Sequence, residues 1–210
     1  MICVSIGSGS SDEAKKIFQK TGFIELRADL LTWKTEEYRD VILACNKTVF
    51  TCRPGKYSNG ERLELFEMAA LAGATYLDVE IESEESFLDE IRKITGHYST
   101  ELIISYHNYE LTPSMEVLES LLRDCYIEEA NVAKIACRVY SSADAARLLS
   151  LYNISGRKVI LGMGKAGKIT RVAASLLGAE FTFASSGEGD ATAEGQLSYD
   201  EMNEIIKKIQ

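Results

Sequence analysis

Apolar, β-branched runs of strand length recur about every 25 residues along the chain, and most of the intervals between them carry helical periodicity. The apolar runs cover residues 2–7, 23–28, 48–52, 76–81, 102–106, 132–137, 158–163 and 180–184. Helical spacing is clear over 13–18, 62–72 and 115–123, the last opened by Thr112-Pro113-Ser114 as a cap. Ser141-Ser142-Ala143-Asp144 opens another capped helix, and 199–209 makes the last. Eight strands alternating with eight helices, the strands nearly continuous in apolar character, predict a parallel sheet covered by helices. Eight repeats is the number that closes a (β/α)8 barrel, with an open doubly wound sheet as the competing architecture. A length of 210 residues is small for such a barrel and implies short loops. No linker or composition break divides the chain, so one (β/α)8 barrel domain is expected over residues 1–210.

The polar exceptions to this pattern fall where a barrel would use them. Active sites of such barrels lie at the C-terminal ends of the strands. There the chain carries Glu25-Leu26-Arg27, Thr51-Cys52-Arg53, Asp78-Val79-Glu80 and Ser105-Tyr106-His107. Residues two apart on a strand point to one face. Lys134 lies mid-way along the sixth run, Ala130-Asn131-Val132-Ala133-Lys134-Ile135-Ala136-Cys137, and Arg171 follows shortly after the seventh. An amine in such a strand must leave water, and desolvation disfavours its charged form. A buried lysine is therefore either a nucleophile for ketones and aldehydes or a structural residue paired with a carboxylate or snorkelling outward. Six successive strands placing ionisable groups at the same end favour a shared polar site, because burying that much charge is costly unless the groups pair or serve a ligand.

Composition narrows the partners. Hydrophobic content of 46% and charged content of 26% are those of a globular protein. A net charge of -9 argues against a nucleic-acid or anionic-membrane surface, so an anionic ligand must be held by local arginines. The five cysteines form no Cys-x-x-Cys pair and mostly lie in apolar runs, which predicts reduced thiols in a cytoplasmic protein with no metal framework. No signal-peptide pattern and no run of about 18 apolar residues is present.

Lysine, histidine, carboxylates and arginines together suit imine formation coupled to proton transfer. A protonated imine acidifies the carbon beside it, and His107, with an ordinary pKa of about 6.5, is the natural base. Glu80 or Asp78 is expected to orient it, and the arginines to bind a carboxylate or phosphate. His97 follows a glycine beyond a helix and is expected to be a solvated loop residue. Gly162-Met163-Gly164-Lys165-Ala166-Gly167 fits G-x-G-x-x-G, but it follows the seventh strand, and Ile169 stands where a phosphate-binding loop needs Ser or Thr. It reads as a βα loop whose glycines allow close approach to ligand. Gly7-Ser8-Gly9-Ser10-Ser11-Asp12 reads as a turn and cap.

With these residues in place the chain resembles the type I 3-dehydroquinate dehydratases over nearly its whole length. The likeness runs through Glu25-Leu26-Arg27-Ala28-Asp29, Phe50-Thr51-Cys52-Arg53, Leu77-Asp78-Val79-Glu80 and Ile104-Ser105-Tyr106-His107-Asn108-Tyr109. It continues through Ala133-Lys134-Ile135-Ala136, Met163-Gly164-Lys165 leading to Thr170-Arg171, and Ala191-Thr192-Ala193-Glu194-Gly195-Gln196. The resemblance implies a dehydration of 3-dehydroquinate to 3-dehydroshikimate by syn elimination, without cofactor or metal. That is the third step of the shikimate pathway to chorismate and the aromatic amino acids. By that likeness Lys134 forms the imine, His107 removes and returns the proton, and Arg171 holds the carboxylate. Glu25, Arg27 and Arg53 bind hydroxyls and order the site, with Ser5 in support. Thr192 and Gln196 belong to a loop that closes over substrate, and the neighbouring Ser185-Ser186-Gly187-Glu188-Gly189-Asp190 is expected to be mobile. A homodimer is typical of the family.

One departure bears on the base. Many family members carry a Glu-Gly-Gly segment after the third-strand arginine, whose Glu partners the histidine. Here the segment reads Lys56-Tyr57-Ser58-Asn59-Gly60-Glu61, with Ser58 or Asn59 at the expected place. Either Glu61 reaches in through a shifted loop, or Glu80 takes the role, or the pairing is weaker. The competing enzyme class is a class I aldolase or transaldolase, which also uses an imine-forming lysine but generally binds phosphate near strands seven and eight. The non-enzymatic alternative is a barrel that binds a metabolite and has lost its chemistry.

Overall fold

Among the residues described by the computed structural model, 1–187 and 191–209, eight strands and eight α-helices alternate. The order is β1 (Ile2–Ile6), α1 (Ser11–Thr21), β2 (Ile24–Arg27), α2 (Thr35–Ala44), β3 (Thr48–Thr51), α3 (Asn59–Leu71), β4 (Tyr76–Glu80) and α4 (Glu85–His97). It continues with β5 (Glu101–Asn108), α5 (Met115–Ile127), β6 (Val132–Arg138), α6 (Ser142–Ser150), β7 (Lys158–Met163), α7 (Lys168–Leu176), β8 (Thr182–Ser185) and α8 (Tyr199–Ile209). All ladders are parallel, in the order β7-β6-β5-β4-β3-β2-β1-β8. The two edges approach where the Glu180 N–H donates to the Lys158 carbonyl at 2.9 Å. The result is a (β/α)8 barrel, as the eight apolar repeats predicted.

Local chemistry marks the helix starts. Ser10 with Glu13, Ser58 with Glu61 and Ser141 with Asp144 form capping boxes at the starts of α1, α3 and α6, each satisfying two otherwise orphaned N–H groups. Gly22 ends α1 in a left-handed conformation, φ 73°, that a β-carbon would oppose. At α5, Ser114 occupies the N-cap position without a side-chain cap bond, and Thr112 instead donates through Oγ1 to the Arg138 carbonyl at 2.6 Å. His97 is the exposed last residue of α4, not a loop residue, because the helix continues through Gly96. No described helix is long and apolar enough to cross a membrane.

Strand alternation divides the core in two. Ile24, Leu26, Phe50, Leu77, Val79, Ile104, Ile135 and Ile160 pack outward against the helices. Cys3, Phe23, Val49, Tyr76, Ile103, Val132, Val159 and Phe181 form a second cluster that fills the barrel interior. The Phe23 and Phe181 rings meet edge-on at 4.9 Å, closing the N-terminal end. Two residues further along the same strands the interior positions become Ser5, Glu25, Thr51, Asp78, Ser105 and Lys134, every one buried. A dry apolar floor thus supports a charged layer at the C-terminal end. All five cysteine thiols are free and buried, Cys3 inside the barrel and the other four between strands and helices.

Candidate active site

The C-terminal end of the barrel holds a cavity of about 320 Å³, small beside ligand clefts that run from about 300 to 1,000 Å³. Its walls bring together Ser5, Glu25, Arg27, Arg53, His107, Lys134, Arg171, Thr192 and Gln196 from four strands, the loop after β3, one helix and the segment after β8. Five cationic side chains, Arg27, Arg53, Lys134, Arg138 and Arg171, face it against two carboxylates, Glu25 and Glu194. Asp29, Asp78 and Glu80 lie directly behind three of these cations, and Arg171 is the one with no carboxylate beside it among the described residues.

Lys134 stands at its centre, buried, in register with Ser105 of β5. Its Nζ donates to Asp78 Oδ2 at 2.6 Å, lies 3.9 Å from Glu25 Oε1 and sits 4.3 Å from the centre of the Phe183 ring. The amine thus has two carboxylate neighbours as well as access to the cavity. Asp78 is fully buried and also accepts from Arg53 Nη2 at 2.9 Å and Ser105 Oγ at 2.7 Å. Burial alone would raise its pKa, but Arg53, Lys134 and His107 outweigh that and hold the carboxyl well below the usual carboxylate range. Glu25 accepts from Thr51 Oγ1 at 2.8 Å.

The arginines divide by partner. Arg53 has three partners: besides Asp78 it reaches Ser105 Oγ at 3.0 Å and Glu80 Oε1 at 2.9 Å. Burial opposes its charge, yet Asp78, Glu80 and Glu25 leave its pKa above the ordinary value. Arg27 forks onto Asp29 at 3.0 and 2.6 Å. Arg171, on α7, is buried and has neither form of support. Among the described residues its Nε has no hydrogen-bond partner, and Nη1 makes a long 3.4 Å bond to the Phe183 carbonyl. Burial draws its pKa down to about 10. A buried guanidinium that lines the cavity with so little compensation from the protein suits an anionic ligand.

His107 projects from the end of β5, partly exposed to the cavity, with its ring stacked near Tyr109 at 6.2 Å and 15°. Burial first, then the positive charges of Arg53 and Lys134, hold the imidazole well below its ordinary pKa, with Asp78 opposing. No described carboxylate hydrogen-bonds the ring. Asp78 acts on it through charge alone, while Glu80 is committed to Arg53 and, at 3.5 Å, to buried Arg62. Glu61 does not reach the site at all. It is exposed, and its carboxylate is drawn back onto the Ser58 N–H and Oγ at 2.8 and 2.7 Å as the cap of α3. Of the acids considered as partners of His107, Asp78 is the one whose charge acts on it most strongly.

The segment after β8 roofs the cavity. The Thr192 N–H donates to Gln196 Oε1 at 2.9 Å, and Gln196 Nε2 reaches Ser5 Oγ at 3.5 Å. Glu188, Gly189 and Asp190, part of the segment expected to be mobile, lie outside the described residues. The glycines after β7 approach protein and not an open ligand space: a β-carbon on Gly167 would fall 2.5 Å from the Gly162 carbonyl carbon. Sequence reasoning passed over Arg138 and the walls Leu161 and Phe183. Arg138 was discoverable, since it lies at position i+4 from Lys134 on the same strand face. Among the described residues no cluster of three or more His, Cys, Asp or Glu side chains is placed to hold a metal ion.

Comparison with known proteins agrees with this geometry. The family described as Type I 3-dehydroquinase matches residues 2–210. The chain is 35% identical over 209 residues to a 3-dehydroquinate dehydratase of Aquifex aeolicus, covering 95% of this chain and 93% of that one. It is 31% identical over 225 residues to one from Methanococcus maripaludis, covering all of both. The crystal structure of the 3-dehydroquinate dehydratase from Aquifex aeolicus superposes with a TM-score of 0.86 at 31% identity, covering 100% of this chain and 99% of that one. Whole-length agreement in sequence and in fold establishes that the chain belongs to the type I 3-dehydroquinase family.

Proposed function

We propose that the protein converts 3-dehydroquinate to 3-dehydroshikimate through an imine on Lys134, the third step of the shikimate pathway. The observation that carries this reading is the convergence of a buried lysine, a histidine and a buried arginine on one cavity. In it, the ketone carbon takes Lys134 Nζ and one water leaves as the protonated imine forms. Asp78, kept ionised by its neighbours, then balances the iminium charge and so favours retention of its N–H proton, without which the neutral imine is a poorer electron sink. It is a charge partner, because a carboxyl held so acidic is a poor proton carrier.

His107 removes the proton from the carbon beside the imine, and the electron pair moves into the enamine. A depressed pKa keeps the imidazole neutral and ready to accept. It also makes the resulting imidazolium a strong acid, suited to protonating the hydroxyl that leaves from the same face. Water then hydrolyses the imine and frees Lys134. The steps move protons and one hydroxide and change no oxidation state. Arg171 holds the substrate carboxylate in this scheme, Glu25, Arg27 and Arg53 order the ring hydroxyls, and Thr192 and Gln196 shield them from solvent. A homodimer acting in the cytoplasm belongs to the same proposal. An aldolase reading fits the site less well, because such sites generally bind phosphate through backbone amides after strands seven and eight, whereas the glycines after β7 pack here against protein and His107 stands with Lys134 as a proton-transfer group.

The conjugated enone of the product gives a direct assay. Wild-type protein with 3-dehydroquinate should show its absorbance rising, and Lys134→Ala should show none above background. Equal rates in both proteins would contradict the assignment.

A further inference from the structure

The strand that carries Lys134 also fastens the roof of the site. Lys134, Ala136 and Arg138 alternate along β6 and all line the cavity. Four residues at about 3.3 Å each put the Arg138 backbone about 13 Å along the strand from that of Lys134, toward the mouth. There its Nη1 ion-pairs with Glu194. Thr112 Oγ1 holds the Arg138 carbonyl, and the guanidinium lies 5.4 Å from the Tyr140 ring centre, so the residue is braced on its β6 side.

Glu194 lies between Thr192 and Gln196, the residues that roof the cavity, and its surroundings are built for a close approach. Its carbonyl accepts from the Gly164 N–H at 3.0 Å. Gly164 and Gly195 both have left-handed φ, 82° and 81°. A β-carbon on Gly195 would stand 2.4 Å from the Gly164 carbonyl oxygen, and one on Gly164 would stand 3.3 Å from Arg138 Cζ. Backbone meets backbone here, and a guanidinium fills the space beside it. Of the ties on the roof described above, the ion pair is the one between opposite charges. Its side chains are 26% and 63% exposed, so water and salt can compete for it.

We propose that the Arg138–Glu194 pair is a latch that holds Thr192 and Gln196 over the cavity, making both members positioning residues for substrate retention. The substrate rests on the function proposed above; the latch geometry does not.

The test uses the intact protein, with Arg138→Ala, Glu194→Ala and the reversed pair Arg138→Glu/Glu194→Arg. The Gly164 amide is the structural readout, since its hydrogen bond to Glu194 exists only while the roof is docked. Both single variants should speed its hydrogen exchange and raise KM for 3-dehydroquinate about two- to fivefold, the size of an exposed ion pair, with kcat little changed. The reversed pair should recover protection and KM, and added salt should weaken the wild type toward the single variants. The proposal is overturned if Gly164 exchange is unmoved in the single variants, if reversal fails to recover it, or if Arg138→Ala impairs binding while Glu194→Ala does not. The last result would mean that Arg138 meets the ligand directly. A wild type inactive on 3-dehydroquinate would contradict the proposed function, and the Gly164 exchange would still decide the latch.

Discussion

Arg171 and His107 are matched by opposite deficiencies among the described residues: one is a guanidinium with no carboxylate beside it, the other a base with no acid hydrogen-bonded to it. A charged hydrogen bond is worth about 1.5–3 kcal/mol, so Arg171→Met should raise KM for 3-dehydroquinate by about 10- to 150-fold, measured by initial rates. The burial and positive neighbours that depress His107 also set the pH profile. Its neutral form persists below the ordinary value, so the acid limb of kcat/KM, which reports the free enzyme, should lie below pH 6.5. A limb at or above that value would contradict the site's electrostatics. His107→Ala should still form the imine yet lose about 10²- to 10⁴-fold in turnover, the usual size of general acid–base assistance. That Lys134, His107 and Arg171 belong together was legible from strand-end spacing. That Asp78 takes both the amine and Arg53 was not, because the inward partner of each charge depends on barrel register.

Glu61 shows what an element can claim from a site. Its place three residues after Ser58 makes it the closing half of a capping box, and that local geometry takes it away from His107. Glu61→Ala should therefore lower the melting temperature slightly and leave turnover at the wild-type level; a large loss of turnover would restore it as a partner of the base. The same lesson applies at β5, which runs to Asn108 and so carries His107 on the strand itself. The strands were legible from apolar runs, but polar ends such as 107–108 fade from a hydropathy pattern although the ladder continues. Helix starts were more readable, since Ser141 with Asp144 states its own hydrogen bonds.

At the scale of the whole barrel, a dry floor of Phe23, Tyr76 and Phe181 lets a dense ionic layer survive above it. Stability should depend on pH through that layer. Asp78 titrates lower in the folded protein than its ordinary 3.8, so its contribution is complete above that value and is lost as pH falls toward the folded pKa. His107 adds in the same direction at higher pH, because the unfolded chain takes up its proton first. Chemical denaturation should therefore show stability falling from neutrality toward pH 4 and more steeply below it, and Asp78→Asn should flatten the lower part. The central claim is covalent, and borohydride reduction in the presence of 3-dehydroquinate tests it most directly. Mass spectrometry of the digested protein should find one stable adduct, on the peptide that carries Lys134. Unmodified Lys134 after complete reduction, under conditions where substrate is still being dehydrated, would contradict the imine.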